Sequence, residues 1–126
     1  MVYARSVKQK MQTLSSTESE LLALQEASTY VVWMRYLMQE LGYPITGPTV
    51  VTQDNQSATT IAEQGGNFQR TKHIVGRFNY LAERIRLKDL VIRYLASQHM
   101  PADFLTKPLS GTDLRRHMNA IGMVFN

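Results

Sequence analysis

The run Thr49-Val50-Val51-Thr52-Gln53-Asp54-Asn55-Gln56-Ser57-Ala58 predicts a strand that leads directly into a helix. Its first four residues are all β-branched, which favours a strand, and residues 55–63 suit a short helix. A strand followed at once by a helix is the α/β pattern, and open parallel sheets place their sites at the carboxyl ends of such strands. Asp54 stands at that end, where its carboxylate could serve a functional site or simply cap the helix.

Length and composition indicate one ordinary globular domain. The 126 residues suffice for a hydrophobic core, and an apolar fraction of 44% with a charged fraction of 19% argues against wholesale disorder. No window reaches the roughly 18 uninterrupted apolar residues of a membrane span, and no secretory signal is recognisable, so an intracellular protein without a membrane partner is expected. The absence of cysteine excludes disulfides and a thiolate zinc site.

The clearest predicted element is a long helix that starts between Ser15 and Ser19 and ends at Gly42 and Pro44. Apolar residues recur along it at three- and four-residue steps, which predicts one stripe packed on the core. The predicted stripe consists of Leu24, Ala27, Val31, Met34, Met38 and Leu41.

Glu20 lies where this stripe, extended backwards from Leu24, meets the start of the helix. Glu18 falls roughly 200° around the helix from Glu20, at 100° per residue. The helical phase therefore favours Glu20 as the carboxylate that points towards the core. Two capping boxes compete at the helix start, Ser15 with Glu18 and Thr17 with Glu20. The second would give Glu20 a purely structural role.

Strands and helices are also predicted in the rest of the chain. Residues 2–13 alternate weakly, as a strand would, and residues 90–95 are rich in strand formers. A basic helix is expected over residues 73–87. Pro101 opens a helix at its first position, and a last helix covers residues 112–121. Asp103 falls in the first turn after Pro101, where the helix dipole alone would favour an anion.

Positive charge is concentrated between Arg70 and Arg93. The whole chain has a net charge of +4, and this stretch holds seven basic residues against two acidic ones, a local balance of +5. Such a surface suits a polyanion, since neutralised phosphates release counterions whatever the sequence. The plain alternative is a solvated helix face.

Four short segments carry the acidic and basic residues in a fixed order. They are Ser15-Ser16-Thr17-Glu18-Ser19-Glu20, Thr52-Gln53-Asp54-Asn55-Gln56-Ser57-Ala58, Arg70-Thr71-Lys72-His73-Ile74 and Ala102-Asp103-Phe104-Leu105-Thr106-Lys107-Pro108-Leu109. In order and wording they closely resemble the ribonuclease H domain that ends the polyprotein of copia-type retrotransposons. The resemblance runs from about Tyr3 to Gly122, nearly the whole chain.

The resemblance implies an α/β, ribonuclease H-like fold: a five-stranded mixed sheet in the order 3-2-1-4-5, flanked by helices. Residues 2–10 look like strand three, 49–53 like strand four and 90–95 like strand five. Strands one and two have no counterpart, so residues 1–126 are expected to form a single partial domain, truncated at its N-terminus. Strand four would then have a bare edge, where self-association or an upstream reverse transcriptase segment is the expected partner.

The resemblance also implies an active site made of carboxylates. Glu20 matches the glutamate of the family's first helix, Asp54 the aspartate that ends strand four, and Asp103 the last aspartate. In the family, these residues and a strand-one aspartate bind two Mg²⁺ ions that cleave the RNA strand of an RNA–DNA hybrid. The three carboxyl groups are therefore expected to converge to about 4–8 Å, in keeping with two-metal spacing.

Hybrid binding is expected from a basic group of side chains. Arg70, Lys72 and His73 match a family motif that would contact the hybrid backbone, and Arg77 and Arg84 add to the local positive charge. His99, four residues before Asp103, could aid product release or be a surface loop residue. Because the strand-one aspartate is missing, the 126 residues are expected to bind Mg²⁺ poorly and to be inactive alone. The alternative function is a catalytically dead remnant that binds nucleic acid or a protein.

Overall fold

Helices and short strands succeed one another along most of the chain. The computed structural model describes residues 4–6, 15–64 and 72–123. Its elements are α1 (Ser16–Glu40), β1 (Thr49–Gln53), α2 (Gln56–Gln64), α3 (Lys72–Arg86), β2 (Leu90–Tyr94) and α4 (Gly111–Ala120), with 3-10 helices at Ser97–His99 and Pro101–Leu105. This mixture is compatible with the predicted α/β class, and β1, α3, β2 and α4 begin and end within one residue of their predicted bounds. The ribonuclease H-like arrangement stays a prediction.

The strands β1 and β2 pair in parallel, with Thr49 opposite Leu90. One face of the pair is buried, because Gln53, Leu90 and Ile92 are each at most 6% exposed, whereas Val50 on the other face is 48% exposed. Parallel strands need a crossover connection. Here α2 and α3 supply it, and both contact β2. The carboxyl ends of the two strands therefore lie side by side.

The buried face of α1 differs from the predicted stripe. Of the six predicted residues only Leu24 is buried; Ala27 and Leu41 are exposed, and the other three are half-buried. The buried residues of α1 are Leu21, Leu22, Leu24, Ser28 and Val32. At 100° per residue, the centre of this face is rotated by roughly 110° from the predicted one. The stripe prediction was therefore wrong in its direction, although the helix itself is confirmed.

Two polar side chains lie on the observed buried face. Ser28 is fully buried, because its hydroxyl donates to the Leu24 carbonyl at 2.7 Å and is satisfied within the helix. Arg35 lies half-buried on the same face. Its guanidinium donates to two carbonyls of the loop after α1, at 2.7 and 3.3 Å, and to the Thr49 hydroxyl at 3.0 Å. Polar residues can thus occupy the inner face of α1.

The second half of α1 carries apolar side chains on its outer face. Trp33, Leu37 and Leu41 follow one another at four-residue spacing and are 56%, 36% and 60% exposed. Tyr36, one residue before Leu37, is 60% exposed. These apolar side chains therefore lie away from the buried face of α1, part of which is occupied by polar residues.

Both ends of α1 are set by local sequence. The Ser15 hydroxyl accepts from the Glu18 N–H at 3.2 Å, so Ser15 is the N-cap. The competing box of Thr17 with Glu20 is therefore wrong, because Thr17 lies inside the first turn. Gly42 ends the helix with a φ of 82°, in the left-handed region that glycine adopts without strain.

Contacts group the chain into two compact units. The first unit is Thr13–Tyr94 and holds α1, β1, α2, α3 and β2. The second combines Leu95–Asn126 with Met1–Gln12. Within it, α4 packs on the 3-10 helix Pro101–Leu105, and Arg116 donates to the Gln98 carbonyl at 3.2 Å. That the whole chain is one domain stays a prediction.

Two further predictions concern the ends of the chain and membranes. Residues 4–6 form no strand, and the rest of the strand predicted at residues 2–10 lies outside the described residues. None of the helices in the described ranges combines the length and the apolar content needed to cross a membrane.

Candidate functional site

Asp54 occupies the carboxyl end of β1, at the turn into α2. The structural alternative for Asp54 was to cap α2, but the cap is Asn55, whose Oδ1 accepts from the Ala58 N–H at 3.0 Å. Asp54 is half-buried. Asp54 is therefore not the cap of α2, and its backbone position follows from the end of β1.

The side chain of Gln53 connects this turn to α1. It is 6% exposed, and its Oε1 accepts from the backbone N–H groups of Asp54, at 2.7 Å, and Asn55, at 3.2 Å. Its Nε2 donates to the Glu20 carbonyl at 3.5 Å. Gln53 is absent from the predicted site residues. The signal that could have found it is a large polar residue at a position of β1 that alternation assigns to the buried face.

Glu20 is half-buried in the second turn of α1. The helical phase that favoured it over Glu18 does not hold, because at 100° per residue Glu20 lies no nearer than Glu18 to the centre of the observed buried face, and both are half-buried. The Nε2 of Gln53 lies 3.5 Å from the Glu20 carbonyl, so the backbone of Glu20 lies beside the carboxyl end of β1. The position of Glu20 beside β1 is thus supported by a tertiary contact and not by the stripe.

Asp103 lies in the second unit, in the first turn of the 3-10 helix that Pro101 opens, as predicted. Its side chain is 13% exposed, and its two carboxylate oxygens accept from Lys107 Nζ at 3.1 and 3.0 Å. The carboxylate is therefore neutralised by an ammonium group of the same segment. Lys107 is also absent from the predicted site, although the four-residue spacing in sequence was a readable signal.

The predicted nucleic-acid contacts lie on α3 or before it. Arg70 falls outside the described residues, and Lys72 and His73 form the start of α3, where the backbone alone is described. Arg77 is exposed on α3. Of the five predicted contacts, Arg77 and Arg84 therefore have described side chains, and they differ in their surroundings.

Arg84 is held by its neighbours. Its side chain is 20% exposed, with Nη1 at 3.2 Å from Asp89 and Nη2 at 3.6 Å from Glu83, and its guanidinium lies 5.2 Å from the centre of the Tyr80 ring. Burial acts to lower the pKa of Arg84, but the hydrogen bond to Asp89 and the nearby charges outweigh it, so the pKa lies above its ordinary value. Arg84 is therefore a paired cation of α3, bonded to Asp89 in the turn just before β2.

The predicted Mg²⁺ can be tested against these donors. Mg²⁺ prefers oxygen ligands and usually takes one or two carboxylates together with waters. Glu20 and Asp54, near the end of β1, fit that preference in kind. Within the residues that the structure describes, however, no three Asp, Glu, His or Cys side chains are grouped so that they could hold a metal ion. The first unit thus offers two candidate ligands, and the convergence of all three predicted carboxylates stays a prediction.

Comparison with known proteins finds transposon polyproteins. Over 118 residues, 94% of the chain, the sequence is 32% identical to the Retrovirus-related Pol polyprotein from transposon RE1 of Arabidopsis thaliana. It is 31% identical to the polyprotein from transposon TNT 1-94 of Nicotiana tabacum and 30% identical to that from transposon RE2 of Arabidopsis thaliana, again over 94% of the chain. The chain spans 8–9% of the length of these relatives.

These relatives confirm the predicted likeness to retrotransposon Pol polyproteins. No family model and no solved structure matches the chain. The ribonuclease H domain within the polyprotein therefore stays a prediction.

Proposed function

We propose that this chain, which is similar along 94% of its length to a segment of transposon Pol polyproteins, supplies part of the ribonuclease H domain of a copia-type retrotransposon polyprotein. The proposed activity is hydrolysis of the RNA strand of an RNA–DNA hybrid. The observation that supports it best is the carboxyl end of β1. There Asp54 follows a parallel strand, and Gln53 bonds both to the Asp54 N–H and to the carbonyl of Glu20.

The three carboxylates have different parts in this proposal. Glu20 and Asp54 would hold Mg²⁺ at the end of β1, and the ion would supply a Lewis acid and an activated water. Asp103 would become a metal ligand only when its ion pair with Lys107 breaks. The fourth carboxylate, which the resemblance assigns to a first strand, is not among these 126 residues, so the proposed reaction needs a segment that supplies it.

Cleavage of a labelled RNA–DNA hybrid tests the proposal. The 126 residues alone are expected to give no appreciable Mg²⁺-dependent cleavage, because they supply three of the four carboxylates. Joined to the segment that precedes the matched region in the RE1 polyprotein, they are expected to cut the RNA strand, and Asp54→Asn should abolish cutting. A folded fusion protein that binds the hybrid and leaves the RNA intact would contradict the proposed activity.

The alternative is a remnant that binds nucleic acid without cutting it. Two observations favour it: Lys107 already neutralises Asp103, and α3 presents exposed arginines at positions 77 and 86. Recognition of a hybrid duplex depends mainly on its shape, its sugar hydroxyls and its phosphates. Binding through α3 is therefore compatible with either function, and the cleavage assay separates them.

Hybrid binding is expected to weaken steeply with salt, with a log–log slope that tracks the number of phosphates contacted. Arg77→Ala should flatten that slope by about one unit, because an exposed arginine on α3 would lose one phosphate contact. Arg115→Ala removes an exposed arginine from α4 in the second unit and serves as the charge-matched control, with no change in slope expected. Filter binding at several salt concentrations measures both. Equal slopes for the two variants would remove α3 from the binding surface.

A further inference from the structure

We infer that Gln53 is a positioning residue for the proposed cleavage site: its carboxamide fixes the direction of the Asp54 carboxylate and the distance of Glu20 from it. This inference rests on the proposed function. It assigns to Gln53 a role that acts through Asp54 and Glu20, without contact to a substrate.

The carboxamide of Gln53 is used on both of its sides. Oε1 accepts from two successive backbone N–H groups, those of Asp54 and Asn55, and Nε2 donates to the Glu20 carbonyl. The side chain is 6% exposed, so these bonds have little competition from water. A buried polar group without such partners is strongly disfavoured, and here the partners come from the two segments that bear the candidate carboxylates.

Only a carboxamide of this length fits both duties. A glutamate offers acceptors but no donor for the Glu20 carbonyl, and a methionine offers neither a strong acceptor nor a donor. An asparagine is shorter by one methylene group. Strand formation alone would favour a β-branched or aromatic residue at the buried end of β1. The choice of glutamine therefore answers to hydrogen bonding across the turn.

The consequence for the site is a fixed backbone at Asp54. The N–H groups of Asp54 and Asn55 both donate to Oε1, which restricts the backbone torsions of Asp54 and so the direction in which its side chain leaves the backbone. The bond from Nε2 to the Glu20 carbonyl, at 3.5 Å, links the second turn of α1 to the same side chain. Residues that orient metal ligands in this way usually change metal affinity by about 10–100-fold when they are replaced.

Titration with Mn²⁺ of the chain joined to the segment that precedes the matched region in the RE1 polyprotein, followed by the broadening of amide NMR signals, tests this role. In this fusion protein, Mn²⁺ is expected to broaden the signals of Asp54 and Glu20, and Asp54→Asn should remove the effect. Gln53→Met should raise the Mn²⁺ concentration for half-broadening about tenfold or more. The control is Ser28→Ala, which removes a buried hydroxyl-to-carbonyl bond within α1 of the first unit and should leave that concentration unchanged. If Gln53 had only a structural role, both variants would lose stability and neither would change the Mn²⁺ concentration for half-broadening.

A second variant covers the case in which Gln53→Met does not fold. Gln53→Asn keeps the carboxamide but is shorter by one methylene group, so it cannot reach the two N–H groups and the Glu20 carbonyl together, and it should also raise the Mn²⁺ concentration for half-broadening. An unchanged concentration in either folded variant would overturn the inference, as would a fusion protein that cuts the hybrid without Asp54-dependent broadening. A fusion protein that binds the hybrid and leaves the RNA intact would instead contradict the proposed function.

Discussion

Leu21→Ala is expected to lower the free energy of unfolding by about 2–5 kcal/mol, the usual cost of removing a leucine side chain from a packed core. Leu21 is completely buried, on the inner face of α1 directly after Glu20. The truncation leaves a cavity that the neighbouring elements can fill only in part. Since whole domains are stable by about 5–15 kcal/mol, the variant should be visibly destabilised.

The matched control is Leu41→Ala, the same truncation at the far end of the helix. Leu41 is 60% exposed, and surface substitutions usually stay within about 0.5 kcal/mol. Urea unfolding followed by far-ultraviolet circular dichroism measures both variants. The pair also tests the rotation of α1, because the stripe seen in the sequence includes Leu41 and omits Leu21. Equal losses would mean that α1 buries the predicted face after all.

Arg84→Met is expected to lower the free energy of unfolding by about 1–3 kcal/mol, the range for losing hydrogen bonds to charged groups. The arginine and its main partner Asp89 are 20% and 29% exposed, so water screens their attraction only in part. Without Arg84 the Asp89 carboxylate keeps its partial burial and loses its ion-pair partner. Asp89 also connects the strands, because its carbonyl accepts from the Thr49 N–H at 3.0 Å.

Arg86→Met provides the control for Arg84, since Arg86 is an exposed arginine of the same helix turn. It removes the same charge and should change stability by no more than about 0.5 kcal/mol. Thermal unfolding at low and moderate salt measures both variants. If Arg84→Met lowers the free energy of unfolding no more than Arg86→Met does, the ion pair does not hold Arg84, and its charge is available to a polyanion.

The sequence predicted the helices and strands of this chain better than it predicted which side of each helix is buried. Strand β1 and helix α3 follow from β-branched runs and helical periodicity, which are local properties. The inner face of α1 does not, because a periodicity argument counts Ser28 and Arg35 as outward residues. Ser28 instead bonds within its own helix, and Arg35 bonds to the loop that follows.

The candidate site was predictable to a similar degree. The position of Asp54 at a strand end follows from the β-branched run that precedes it. The sequence did not show that Asn55, and not Asp54, caps α2. The part played by Gln53 could not be derived, since it depends on the approach of α1 to β1 across more than thirty positions in sequence. Lys107 was accessible in principle from its spacing to Asp103.

The exposed apolar side chains of α1 also determine what tryptophan fluorescence can report about this protein. Trp33 is the single tryptophan of the chain and is 56% exposed. Because Trp33 is already partly exposed to water in the native state, the wavelength of its maximum emission should shift little when the protein unfolds. The same fluorophore sits among Tyr36, Leu37 and Leu41, and its emission should move towards the blue whenever a partner covers that side of the helix. Tryptophan emission is therefore a poor gauge of unfolding here and a sensitive gauge of docking.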